Sequence, residues 1–395
     1  MKRIALYQQI LANRPIRGPH VFFPLFNQAY QNSNASSHKL YYFLKTNDVE
    51  SLKKQYSEGE LNALGIVFIP ERNHRFKVVH ETLHLLWLLL KYRISLMHVI
   101  SYSSSHDPIW TLKVLQWLKP IWRLHKTFAL TYNGVPTAFR LNYAGHHKED
   151  IKYENLFRRI AFEGIFTWFD DVEEWANTSG VFKKIPIVRT PTSRFCDIKK
   201  FYPAPNKDKI MVWAGAFVVY KRPLMFLEAL AHIRAQRPEL LAGWKVIYIG
   251  TGLQEQEMRD AIANHGLQDI VEIRGAQKNY YELINTTMLH VSTQSVDHFP
   301  NLVINEAMAS GCAVIATNIG RAHLFVQHEF NGYLTPSDDE PGLRHSLIAF
   351  LSLSDTQRDT MLKNSRLLAE TVHTPDRFIQ TIDAFWTEVL NRSLL

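Results

Sequence analysis

Cysteine is almost absent: Cys196 and Cys312 are the only two in 395 residues. Two are too few for a disulfide framework or a cysteine-rich zinc site, and this usage fits a reducing compartment. Long apolar runs are also missing. The longest, Leu85 to Leu90, falls far short of the roughly 20 residues that span a bilayer. Met1-Lys2-Arg3 is followed by Ile4-Ala5-Leu6-Tyr7, a basic start with no apolar stretch of signal-peptide length and no small-residue cleavage site. The expectation is a cytoplasmic chain, soluble or peripheral on the inner face of the membrane. Hydrophobic residues at 46% and charged residues at 21% exclude a disordered, collagen-like or low-complexity chain. Among 18 histidines, no close pair has a helical metal-ligand spacing backed by other ligands, so no metal site is expected.

What is present is enough chain for two domains and a lopsided charge. The net charge is +8. Through residue 200 there are 28 Lys and Arg against 16 Asp and Glu, a balance of +12, and the remainder carries −4. The two halves are therefore expected to meet different partners.

The second half alternates short apolar runs with helical periodicity. Strands are predicted at Ile210 to Ala214, Val246 to Ile249, Val271 to Ile273, Met288 to Ser292 and Ala313 to Thr317. Helices are predicted from Pro223, from Gln254 to His265, from Tyr280 to Asn285 and from Leu302 to Ser310. Strands alternating with helices imply a parallel sheet covered on both faces, with ligands at the carboxyl ends of the strands. The first half reads the same way, with strands at Ile4 to Tyr7, Leu40 to Leu44, Gly65 to Ile69, Leu96 to Ile100, Phe128 to Thr131 and Ile165 to Trp168. Pro203-Ala204-Pro205-Asn206-Lys207-Asp208-Lys209 is the best linker. The expected organisation is residues 1–205, residues 206–375, and a last helix over 376–395 packing back on the first domain.

Three turns carry candidate chemistry. Gly215, six residues before Lys221, ends a strand, and Lys221-Arg222 precede a helix start at Pro223. Backbone N–H groups at a helix N-terminus together with an ammonium suit a diphosphate. Gly250-Thr251-Gly252 forms a second glycine-rich crossing at the same sheet edge. The third is Asp297-His298-Phe299-Pro300-Asn301-Leu302, which leads into a helix whose Glu306 stands among apolar neighbours. A carboxylate there needs partners, and a ligand's hydroxyl pair, backbone or a neighbouring Arg could each supply them.

The order of these features is recognisable. Gly215 with Lys221, Gly250-x-Gly252, Gly266-Leu267-Gln268-Asp269, Arg274-Gly275, Phe299-Pro300-Asn301, Glu306-Ala307-Met308-Ala309-x-Gly311, Val314 to Thr317 and Asn331-Gly332-Tyr333-Leu334 resemble the C-terminal domain of family 4 glycosyltransferases, retaining enzymes of the GT-B fold. Arg17-Gly18-Pro19, Met97-His98-Val99 and Thr131-x-Asn133-Gly134 are weaker echoes in the first half. The resemblance implies an α/β architecture of two Rossmann-like domains facing across a cleft, with a C-terminal helix crossing back to the first. It implies a nucleotide-diphosphate sugar as co-substrate and no metal or other cofactor. Glu306 would accept the ribose hydroxyls, Lys221 would sit on the diphosphate, and Phe299, Pro300, Asn301 and Leu302 would contact sugar and phosphate at the helix start. Arg274 would lie by the base, with Gly18, Gly215, Arg222, Gly250 and Gly252 also on the donor side.

Three positions depart from the family pattern. Relatives commonly carry a glutamate eight residues before the one matched by Glu306; here that position is His298, with Asp297 one before it. Either could take the sugar contact. Ala216 replaces a common arginine, with Arg222 or Arg321 as candidate second cations. Asn133 replaces a first-domain histidine, so an acceptor-side role would pass to Asn133, His98 or His106.

Residues 71–126 hold nine Lys and Arg interleaved with Trp87, Trp110, Trp117 and Trp122. Basic and aromatic residues on amphipathic helices suit an anionic membrane, although buried tryptophans beside a solvated cationic face would read the same. Nucleic acid is not expected, because no recognition motif accompanies the cations. The leading expectation is a hexosyltransferase that acts on a glycan or lipid-linked glycan in cell-surface polysaccharide, such as lipopolysaccharide, biosynthesis. A GT-B-shaped partner or regulatory subunit without activity is the alternative, and a nucleotide-sugar epimerase is a third reading.

Overall fold

The computed structural model describes residues 1–9, 19–46, 57–63, 65–70, 77–101, 107–118, 127–132, 162–167, 185–190, 195–277, 279–296 and 301–392. The chain divides into two units, Met1–Pro191 with Asp376–Leu395, and Thr192–Pro375.

In the first unit the order is β1 (Arg3–Gln9), α1 (Pro19–Asn32), β2 (Lys39–Thr46), α2 (Glu58–Ala63), β3 (Ile66–Pro70), α3 (Lys77–Lys91), β4 (Leu96–Ser101), α4 (Asp107–Leu118), β5 (Thr127–Tyr132), β6 (Gly164–Thr167) and β7 (Ile187–Arg189). These strands form one parallel sheet in the order β3-β2-β1-β4-β5-β6-β7. The second unit runs β8 (Asp208–Ala214), α5 (Pro223–Gln236), β9 (Lys245–Ile249), α6 (Glu255–Asn264), β10 (Val271–Arg274), α7 (Tyr280–Thr286), β11 (Thr287–Ser292), α8 (Leu302–Ala309), β12 (Ala313–Thr317), β13 (Gly332–Thr335), α9 (Glu340–Leu351) and α10 (Asp355–Thr371). Its parallel sheet has the order β10-β9-β8-β11-β12-β13.

Both sheets thus repeat the doubly wound order in which the chain reverses direction beside the first strand, and each unit is Rossmann-like. The apolar runs follow from burial on both faces: every residue of β12 is buried, as are Val246 to Ile249 of β9. Helices on both faces leave such strands no polar side to alternate toward. Long polar helices are held at their starts instead. For α10, Ser354 Oγ accepts from Gln357 N at 3.3 Å while Gln357 Oε1 accepts from Ser354 N at 3.0 Å, a reciprocal cap.

The last helix, α11 (Pro375–Arg392), belongs to the first unit. Its buried Phe378, Ile379, Ile382, Phe385, Trp386, Val389 and Leu390 recur at helical spacing. Phe378 meets Phe26 of α1 edge-on at 5.5 Å. A side chain at Gly164 of β6 would meet Val389 at 2.5 Å and Phe385 at 2.9 Å, so glycine is what lets the helix lie on that strand. On its polar side, Asp383 accepts from Tyr30 Oη, from Ser37 N at 3.1 Å and from Ser37 Oγ at 2.5 Å, and pairs with His38 Nδ1 at 2.8 Å.

The unit boundary falls between Pro191 and Thr192, upstream of the expected linker at Pro203–Lys209. The reason is packing. Phe195, Cys196 and Phe201 are buried, and this segment is tied to the second unit through Asn285, whose Oδ1 accepts from Tyr202 N and whose Nδ2 donates to Lys200 O, each at 3.0 Å. Among the described residues, no helix is long and apolar enough to cross a membrane.

Candidate functional site

The sheet of the second unit reverses between β8 and β11, and the carboxyl ends of these neighbours are where a doubly wound sheet opens a crevice for ligands. After β8, Gly215 begins a loop that ends in a 3-10 turn at Val219–Lys221. Arg222 then takes a left-handed conformation, φ 50° and ψ 51°, before Pro223 starts α5. Proline suits this first helical position because the N–H it lacks would have no partner there. The left-handed arginine is held by its neighbours. Thr293 Oγ1, just past β11, donates to the carbonyls of Lys221 and Arg222 at 2.9 and 2.7 Å and accepts from Trp213 Nε1 at 2.9 Å. Ser295 N donates to Tyr220 O at 2.8 Å.

Lys221 thereby points its ammonium at the loop after β11, where Nζ donates to Gln294 Oε1. Gln294 is buried, with Nε2 on Val296 O at 3.0 Å and its carbonyl accepting from Thr317 Oγ1 at 2.5 Å. Among the described residues the lysine's hydrogen-bond partner is a neutral amide rather than a carboxylate. Burial lowers its pKa to about 8, so the charge is costly where it stands and an anionic ligand would relieve that cost.

The glycines of the second crossing act on the backbone. A Cβ at Gly250 would come within 1.8 Å of Gly215 O, and one at Gly252 within 2.3 Å of Phe217 O. Phe217 N donates to Thr251 O at 3.0 Å and Gln254 N to Phe217 O at 3.1 Å, so the loops after β8 and β9 are zipped together. These glycines shape the edge of the crevice by permitting loop contact, a requirement their sequence pattern does not separate from phosphate binding.

On the other side of the switch point, Asn301 caps α8, its Oδ1 accepting from Ile304 N at 3.2 Å. Leu302 is the first helical residue. Glu306 lies in the second turn, buried, with Oε2 accepting from Tyr280 Oη of α7 at 2.5 Å. Burial raises its carboxyl to about 7, against the opposing pull of the Tyr280 hydrogen bond and the Lys200 charge. Cys196 is adjacent, its Sγ on Asn305 O at 3.7 Å, and its thiol is pushed up by burial and by Glu306.

Other expected site residues have different surroundings. Arg274 is turned to Glu272 in a two-point pair at 2.7 and 2.8 Å, and Arg222 pairs with Asp338 at 2.5 Å. Arg321 is buried at the start of a short 3-10 turn after β12. His98 requires a correction. It is wholly buried in β4, its Nδ1 accepts from Trp386 Nε1 at 2.8 Å, and burial lowers its pKa to about 3. It is an interior group that receives the last helix, not an acceptor-side group open to substrate. Gly18, His106, Asn133, Asp297, His298, Phe299 and Pro300 lie outside the described residues. Gln294, Thr293 and Tyr280 escaped the sequence reading. The polar run Ser292-Thr293-Gln294-Ser295 directly after an apolar strand was the available signal for the first two. Among the described residues, no group of three or more His, Cys, Asp or Glu is placed to hold a metal.

Residues 195–367 match the family model of glycosyl transferases group 1. That match covers most of the second unit and less than half of the chain. Among curated proteins, the chain is 27% identical over 162 residues to N-acetyl-alpha-D-glucosaminyl L-malate synthase of Bacillus anthracis, 41% of each chain. It is 22% identical over 184 residues to an alpha-1,4-N-acetyl-D-galactosaminyltransferase of Campylobacter jejuni that acts on a diphospho-undecaprenol-linked saccharide, 47% of this chain and 49% of that one. The chain spans less than half the length of the curated relatives it matches. Solved structures cover it almost end to end. Anabaena HepE in complex with UDP superposes with a TM-score of 0.68 at 16% identity, over 99% of this chain and 100% of that one. Sucrose-phosphate synthase from Thermosynechococcus elongatus gives 0.72 at 15%, with the same coverage. The fold is therefore GT-B, α/β with two Rossmann-like domains, and the match to glycosyl transferases group 1 falls within its second unit.

Proposed function

We propose that this chain is a retaining glycosyltransferase that moves a hexose-type sugar from a nucleotide-diphosphate sugar to a glycan or lipid-linked glycan acceptor in cell-surface polysaccharide assembly. The observation that carries this reading is the switch point of the second unit, where a part-buried Lys221, its ammonium on the Gln294 amide, and the capped start of α8 follow the neighbouring strands β8 and β11, and Glu306 stands a turn further in. Lys221 and the helix N-terminus neutralise the diphosphate, and Glu306 accepts the ribose hydroxyls. The bond between the sugar's anomeric carbon and the phosphate oxygen breaks, the acceptor oxygen bonds that carbon on the same face, and the acceptor's proton passes to the departing diphosphate. No carboxylate nucleophile enters, so positioning and charge stabilisation supply the rate. The role requires no metal. The enzyme names of the curated relatives, a synthase and an N-acetyl-D-galactosaminyltransferase, weigh against the inactive-partner alternative.

A nucleoside-diphosphate thermal-shift panel in chelator-containing buffer tests the donor site. At least one diphosphate should raise the melting temperature by several degrees at 100 times its Kd, and Glu306→Gln should abolish most of the shift. A panel with no shift would remove the donor reading.

The acceptor side is read from an exposed apolar row. Val79, Leu83, Trp87 and Leu90 stand out from α3 at spacings of four, four and three, and Val114 and Trp117 stand out from α4, Trp117 at 71% exposure. Lys91 Nζ lies 4.5 Å over the Trp87 ring. Of the four tryptophans, Trp87 and Trp117 are thus surface residues; Trp122 and the side chain of Trp110 lie outside the described residues. Such a face beside cations fits the inner, anionic leaflet. Vesicles with 30% phosphatidylserine should co-sediment the protein, neutral vesicles should not, and Leu83→Glu/Trp87→Glu should release it. Equal recovery with both vesicles would count against this surface.

A further inference from the structure

The group that holds Glu306 has no part in the reading above. Tyr280 begins α7, joined to α8 only through β11 and the loop after it, yet its hydroxyl is the hydrogen-bond partner of the Glu306 carboxyl among the described residues. Its ring is fixed independently, 5.8 Å from Phe201. A glutamate side chain has three rotatable bonds, and two hydroxyls on adjacent carbons are met well only if both carboxyl oxygens are held in one orientation. A donor on Oε2 selects that orientation before ligand arrives, and it favours the ionised form that accepts from hydroxyls.

We propose that Tyr280 is a positioning residue for nucleotide recognition, fixing Glu306 so that its carboxylate meets the vicinal hydroxyls of a ribose and so sets the site for ribonucleotides over 2′-deoxyribonucleotides. The inference rests on the reading of Glu306 as the ribose contact. The charged or titratable groups described around that carboxyl are Tyr280 from α7, Cys196 and Lys200 from the segment entering the unit, Asp197 together with Arg366 of α10, which act on the Cys196 thiol, and Cys312, which acts on Tyr280; Arg366 also donates to Phe201 O and Ala309 O. Lys200 is itself drawn over the Tyr281 ring at 4.5 Å. Of these, Tyr280 is the one bonded to the carboxyl.

The experiment is calorimetric titration of the full chain with UDP, ADP and GDP and with the 2′-deoxy form of each. Tyr280→Phe removes the hydroxyl and keeps the ring; Tyr280→Leu removes both. With the ribonucleotide that binds, Tyr280→Phe should weaken affinity roughly tenfold, leave the deoxy form nearly unchanged, and so collapse the ratio between them. The pH above which the ribo form is preferred should also move upward, because losing a hydrogen bond to the carboxylate raises its pKa. Equal loss for both nucleotides, or a silent Tyr280→Phe beside an impaired Tyr280→Leu, would show that the ring only supports the fold and would overturn the proposal. If the wild type binds none of the six, the donor reading itself falls. If Glu306→Gln abolishes the preference for ribose while Tyr280→Phe keeps it, this inference alone fails.

Discussion

Lys221→Ala should cut the rate of sugar transfer by about 10²- to 10³-fold while leaving the protein no less stable at neutral pH. The two halves of that expectation have one cause. Lys221 is held in a part-buried place by the turn before α5 and by Gln294, and among the described residues its hydrogen-bond partner is an amide and not a carboxylate. Burial lowers its pKa to about 8, so folding at pH 7 takes a charged group out of water at a cost. On the proposed reaction the cost is returned when negative charge arrives, and that charge would be greatest as the sugar leaves its diphosphate, so the loss should appear in kcat more than in KM. Stability has the opposite sign. Below about pH 8 both folded and unfolded chains carry the proton and the full penalty applies. Between about 8 and the ordinary lysine value, the unfolded chain binds more protons, so the wild type gains stability as pH rises. Urea unfolding of wild type and Lys221→Met should therefore show the variant ahead at pH 7 and its lead shrinking toward pH 10. A variant less stable than wild type at pH 7 would mean that the lysine is a structural residue.

The strands were legible in the sequence where burial on both faces makes them short apolar runs, and the glycines after them marked the turns. The predicted Ala313 to Thr317 strand is β12 itself, and Val271 to Ile273 falls one residue short of β10. Two edge strands were not read as strands. Ile187–Arg189 and Gly332–Thr335 are three and four residues long, too brief for periodicity to register. Helices α9 and α10 were missed for another reason: α10 is polar over most of its surface, and its start is marked by the Ser354 and Gln357 cap rather than by an apolar stripe. Within the candidate site, residue types were readable but partnerships were not. Lys221 meets Gln294 across 73 positions and Glu306 meets Tyr280 across 26, pairings fixed by which strands lie side by side. The strand order is a property of the folded sheet, and no local pattern encodes it. The same holds for Gly250, whose need for glycine comes from a carbonyl 35 positions earlier, at Gly215.

Asp383→Ala should destabilise the first unit by on the order of 3–5 kcal/mol, the usual cost of removing one partner from a buried, fully bonded charge. Asp383 is the only carboxylate that the described hydrogen bonds give to Tyr30, Ser37 and His38, and removing it leaves these groups beside the last helix with only the bonds they make among themselves, Ser37 Oγ to His38 Nδ1 and His38 N to Tyr30 Oη. Burial alone would raise its pKa, but hydrogen bonds from His38, Ser37 and Tyr30 outweigh that and hold it at about 2. A carboxyl held below its unfolded value of roughly 4 contributes fully above that pH, and the contribution is lost as pH falls from about 4 to about 2. The gap in urea midpoint between wild type and Asp383→Ala should accordingly be widest at neutral pH and narrow through pH 3. Asp383→Asn, which keeps an acceptor oxygen, should fall between them. The effect should be large because the first unit is discontinuous: its sheet is built from the start of the chain, and the helix that covers Phe26, Phe166 and His98 comes from the end. Packing supplies most of the attachment, and Asp383 fixes the rotation at which Trp386 reaches His98. A gap that stays constant with pH would assign the loss to packing and remove the charge from the account.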